Sequence, residues 1–155
     1  MKRQKRRDGD IVCIPLSGGR KAYALILRLG DIFFDFAASE DDLPTVQDII
    51  KKPVLFQIGV MDYAVTKGIW KVIGHVEPPP ALLKPPTYFI QSSMNGALFV
   101  TTDGSDRRPA TFEECLPLER CAAWDPEHVV SRLEDHFAGR PNKIVELQRP
   151  KRVNS

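Results

Sequence analysis

Missing from this sequence are most of the parts from which enzymes and membrane proteins are assembled. The longest apolar runs are short, such as residues 22–27, and none approaches the roughly 20 residues that cross a bilayer. The basic N-terminus is followed by no apolar stretch, which predicts no secretory signal, a cytoplasmic location and no membrane partner. Cysteine is scarce. The three present cannot all pair within one chain, and Cys115 and Cys121 stand six apart, a spacing that matches no familiar zinc site. Reduced thiols are the economical reading, with Cys13 a small core residue on a strand. No G-x-S-x-G, P-loop or G-x-G-x-x-G occurs. The Ser17-Gly18-Gly19-Arg20 stretch comes nearest to a phosphate cradle, but no helix follows it, so it reads as a hairpin loop. No catalytic residues, no cofactor and no metal are expected.

Histidine is also sparse, with three residues. His128 and His136 lie eight apart on a predicted helix, with Arg132 between them and Asp135 adjacent. A hydrolase could be imagined there. The i, i+4 metal spacing is absent, however, and Arg132 would repel a cation. The plainer reading is a solvated face with Arg132 and Asp135 as a surface pair. His75 reads as decoration at a strand end.

What the chain does have is an ordinary globular composition, 43% apolar and 27% charged over 155 residues, enough for one domain with a sizeable core. Its net charge of +2 hides an asymmetry. Five basic residues fall within 1–7 and three more within 149–152; the remaining 14 Lys+Arg face 20 Asp+Glu, which leaves residues 8–148 at −6. The division expected is a frayed basic tail over 1–7, one domain over 8–148 and a second basic tail over 149–155. The functional reading of such tails is attraction to nucleic acid. No aromatic stacking residue sits among them, so a nucleic-acid partner is not the favoured reading.

Period-two patterning dominates the first third. Residues 9–16, 21–29 and 32–38 read as three consecutive antiparallel strands joined by glycine-bearing turns. Thr45 can cap a short helix near 45–52, which Pro53 stops. Residues 54–61 and 69–76 are further strands, the second carrying Trp70. Five prolines between Pro78 and Pro86 lack donors and favour extended backbone, which suits a rigid crossing to the strands at 87–91 and 96–102. They also have P-x-x-P-like spacing, but strands on both flanks favour the crossing. Thr111 and Glu114 fit a capping box. Residues 118–124 lean to strand. Asp125, Pro126, Glu127 and a stripe of Val129, Val130, Leu133 and Phe137 mark the clearest helix, ended by Gly139. The fold class expected is mainly β (α+β): a twisted antiparallel sheet or small barrel with one C-terminal helix and the short helix near 45–52.

Asp31, Asp35, Glu40, Asp41 and Asp42 are the candidate site. They read either as a solubilising surface or as a docking patch for a basic partner, where complementary charge speeds association. An acidic metal site is a weaker third reading. Trp70 and Trp124 read as core.

Four stretches then carry a resemblance: GDIVCIPLSGGRKAYALIL (9–27), VLFQIGV (54–60), the W-K-V-I-G element with its proline-rich sequel (70–91), and LERCAAWDPEHVVSRLEDHFAGRPN (118–142). Together the chain resembles the bacterial immunity protein 26 family of polymorphic toxin systems. That resemblance implies a small, mostly β, non-enzymatic protein that binds and neutralises a cognate protein toxin by occluding its active surface, and it carries over no catalytic residues. The acidic candidates suit such a role against a basic toxin. The alternative is a small-barrel nucleic-acid-binding protein with basic terminal arms.

Overall fold

The alternation over the first 38 residues folds as an antiparallel meander of β1 (Asp10–Pro15), β2 (Lys21–Leu25) and β3 (Asp31–Ala38). The computed structural model describes residues 3–153. After α1 (Val46–Ile50) and β4 (Val54–Val60) come a helical turn, α2 (Tyr63–Thr66), and β5 (Lys71–His75). A second group follows: β6 (Tyr88–Gln91), β7 (Leu98–Thr101), β8 (Arg108–Pro109), α3 (Phe112–Cys115), β9 (Glu119–Arg120) and β10 (Ala123–Trp124). Two helices close the chain, α4 (Pro126–Phe137) and α5 (Lys143–Gln148).

The strands form two sheets, ordered β10-β4-β3-β2-β1-β5 and β8-β7-β6-β9. All pairings are antiparallel except β10 on β4 and β9 on β6. The mainly β, α+β class is what the sequence predicts. The proline segment carries the chain from the first sheet to the second, and its turn Pro80–Leu82 sets Leu82 against the core.

The first sheet is covered on both faces. Val12, Ile14, Ala24, Phe33 and Trp70 pack with Val129 and Leu133 of α4. Ile11, Tyr23, Leu25 and Phe34 pack on the other side with Ile49 of α1. Because both faces are covered, β1 and β2 are buried at nearly every position and not only at alternate ones. The second sheet has a much smaller core of Phe89, Val100 and Cys115. Tyr88 ties it to the first: its hydroxyl donates to the Leu29 carbonyl at 2.9 Å. That approach requires Gly30, which has φ +137°; a Cβ there would lie 2.2 Å from the Tyr88 oxygen.

Local rules place the helices well. Thr45 with Asp48, and Thr111 with Glu114, form reciprocal capping boxes. Gly139 ends α4 at φ +71°. Asp125 stands at the α4 N-cap without a side-chain cap bond. The 118–124 stretch is two short strands interrupted at Cys121 and Ala122. The helix α5, capped by Asn142, is absent from the sequence-based expectation.

Both basic ends depart from that expectation. The Gln4 side chain donates to the carbonyls of Val65 and Trp70 and accepts from the Val72 N–H, each at 2.9 Å. Arg6 reaches Asp31 and Arg7 reaches Asp10. At the other end the Gln91 amide accepts from the Lys151 N–H and donates to its carbonyl, while Arg152 meets Glu113 and the Phe112 ring. Gln4, Arg6 and Arg7 at one end and Arg149, Lys151 and Arg152 at the other are therefore held against the body, beside backbone groups or carboxylates with open bonding capacity. Residues 1, 2, 154 and 155, also assigned to the tails, lie outside the described residues.

Candidate functional site

The five candidate acids divide into one that is buried and four that are exposed. Asp31 opens β3 and is 0% exposed. Its carboxylate accepts two bonds from Arg6, at 2.6 and 3.1 Å, and one from the Leu27 N–H at 3.1 Å. Burial pushes its carboxyl up to about 6; Arg6 and the Leu27 amide pull the other way. Asp31 therefore leaves the surface patch and joins the internal framework. Period two holds along β3, with Phe33 and Ala37 in one core and Ile32, Phe34, Phe36 and Ala38 in the other; Asp31 and Asp35 differ in their place along the strand, one buried at its start and the other exposed further on.

Asp35 lies near the far end of β3 with its carboxylate 2.8 Å from the His136 Nε2 of α4. Glu40, Asp41 and Asp42 follow in an exposed loop. Asp42 accepts from the Ser39 hydroxyl at 3.0 Å and its own N–H donates to the Ser39 carbonyl, so the loop has defined geometry. The β1–β2 turn completes this region. Gly19 lies against the Glu40 side chain, and the Ser17 N–H and hydroxyl both donate to Glu134 of α4. Those donors hold the Glu134 carboxyl below the usual range. Strand β3, two loops and α4 thus bring Asp35, Glu40, Asp41, Asp42 and Glu134 to one continuous region. Glu134 is the member the sequence reading missed; no local signal linked it to a turn 117 residues away.

Beside this region is a groove of about 470 Å³ lined by Phe36, Asp42, Leu43, Pro44, Asp48 and two lysines. Leu43 is 85% exposed. From Leu29 to Ile50 the chain carries six acids and no base. With Asp31 buried and paired, five of these charges remain at the surface.

The histidine constellation does not converge. His136 turns to Asp35, His128 lies 3.7 Å from Asp125, and Asp135 is taken by Arg140 and Asn142. Arg132, expected to pair with Asp135, instead makes a two-pronged bond to Glu119 and lies 3.7 Å above the Phe56 ring. Among the described residues, no three His, Cys, Asp or Glu side chains are grouped to hold a metal ion. No helix among them is long and apolar enough to cross a membrane. Cys13, Cys115 and Cys121 are free thiols.

No curated protein and no solved structure matches the chain. A sequence model of one family, described as Immunity protein 26, matches residues 7–98. That span takes in β1 to β6, the acidic loop and the proline crossing; the 118–142 stretch lies beyond it. It covers more than half of the chain, and the chain belongs to this family.

Proposed function

We propose that this member of the Immunity protein 26 family binds a cognate toxin in the cytoplasm and neutralises it by covering its working surface. The protein transforms nothing and needs no cofactor. The observation that carries this reading is the family match over residues 7–98. The exposed acids Asp35, Glu40, Asp41 and Asp42 are the proposed contact. They suit a toxin with a basic surface, since complementary charge steers encounter and fixes register. A standard interface of about 1,600 Å² in total has room for the acidic loop and its neighbours. The basic arms add little to the alternative of nucleic-acid binding, because Arg6 and Arg7 are engaged with Asp31 and Asp10.

The test uses the toxin domain encoded beside this chain's own gene. A complex is expected at micromolar concentrations, and it should coincide with protection of cells expressing that toxin. Protection with no detectable complex would mean that occlusion is wrong.

A further inference from the structure

We propose that the groove between the β3–α1 loop and α1 is where the toxin is anchored, and that it takes an apolar side chain flanked by lysine or arginine. This rests on the toxin-binding reading above and deepens it. A row of acids alone would serve equally well as a solubilising surface. The groove adds apolar surface where such a row needs none. Leu43 stands 85% exposed at its lip, in a loop held on one side by the Ser39–Asp42 turn and on the other by the Thr45–Asp48 capping box. A leucine held in water by fixed backbone keeps its full apolar area available to a partner without first having to be ordered.

The chemistry of the occupant follows from the walls. Phe36 and Pro44 supply an apolar floor beside Leu43. The Lys52 ammonium already lies 4.4 Å from the Phe36 ring centroid, so the ring face accepts a cation, and an incoming guanidinium can take that place. Within the groove, Asp42 and Asp48 offset Lys51 and Lys52. The balance is tipped by Glu40 and Asp41, which precede Asp42 in the same exposed loop, so the approach is negative and selects a basic segment. Met94 is more exposed than Leu43, but the turn that carries it borders a cleft lined by Lys151 and Arg152, where the same basic segment would be repelled.

The experiment uses the full chain and a catalytically inactive form of the adjacent-gene toxin domain. Amide hydrogen exchange of the wild-type complex should show protection over residues 36–52. Leu43→Ala should release the toxin about tenfold faster or more, as expected of a central apolar anchor, while Leu147→Ala, an equally simple change on α5, leaves release unchanged. Asp41→Lys with Asp42→Lys should slow association. Melting temperatures of the variants, all at exposed positions, check that the fold is kept. A wild-type complex with no protection over 36–52, or a Leu43→Ala variant that releases toxin at the wild-type rate, overturns the groove and leaves the immunity reading standing. No wild-type complex at all overturns both.

Discussion

The two ends of the chain are alike in composition and unlike in what holds them. Each is basic, and each is gripped through the primary amide of a glutamine that pairs with a backbone donor and a backbone acceptor. At the N-terminal end Gln4 supplies the amide to Trp70 and to Val72 of β5. At the C-terminal end Gln91 of β6 supplies it to Lys151. The difference is burial. Arg6 has 20% of its side chain exposed and meets an Asp31 with none, whereas Arg152 and Glu113 are each 69% exposed. An ion pair in water is screened and costs side-chain entropy; one removed from water leaves a stranded charge if either partner is lost. Like-charged ends therefore have unequal structural weight, set by where they land.

The largest effect should come from Arg6→Ala. It leaves Asp31 buried without its cation, and a loss of about 3–5 kcal/mol is expected by urea unfolding. A loss under about 1 kcal/mol would put the two ends on the same footing and break the comparison. Gln4→Ala comes next, at about 1–3 kcal/mol, because the Val72 N–H and Trp70 carbonyl lose their partner at a half-buried site. Faster hydrogen exchange at Val72 should accompany it. Gln91→Ala should cost about 0.5–1.5 kcal/mol, since water can replace the amide at an exposed site. Arg152→Ala should fall within about 1 kcal/mol of wild type and lose even that in high salt.

Acid titration sharpens the same contrast. Asp31 has a folded-state pKa of about 6 against an ordinary 3.8. Between those values the folded chain binds more protons at this site than the unfolded chain, so its contribution to stability falls as pH rises through that window. The surface carboxylates Asp48, Asp106, Glu114 and Glu134 are shifted the other way, chiefly by hydrogen bonds from Thr45, Thr101, Thr111 and Ser17. Their contributions are present above the ordinary carboxylate range and are lost as pH falls below it. Comparing wild type with Asp31→Asn from pH 4 to pH 7 isolates the first effect. The wild-type advantage should shrink as pH rises to about 6 and then level off; growth over that interval would reverse the sign argued here.

Much of the architecture was legible because it is local. The meander, the Thr45 cap, the Thr111–Glu114 capping box, the Pro126–Phe137 helix and the proline crossing follow from periodicity, caps and missing donors within a few residues. What stayed hidden spans long separations. The Arg6–Asp31 pair joins residues 25 apart, and the Gln91–Lys151 clamp joins residues 60 apart. Nothing in a basic hexapeptide says that one of its arginines is destined for a buried carboxylate. The acidic site was half legible for the same reason. Glu40, Asp41 and Asp42 lie together in sequence and in space, while Glu134 arrives only when α4 folds over the Ser17 turn, and Asp31 was assigned to the surface because the arginine that pairs with it in the interior lies 25 residues away. The helix α5 escaped because its six residues give too little periodicity to stand out.

The claim that this chain acts by covering a toxin is tested most directly by titrating it into an active preparation of the adjacent-gene toxin and following the toxin's activity. The account predicts a linear fall that reaches zero at one equivalent, with the toxin recovered intact when the complex is dissociated. Complete loss of activity at a small fraction of an equivalent, or recovery of a chemically altered toxin, would show turnover and contradict it.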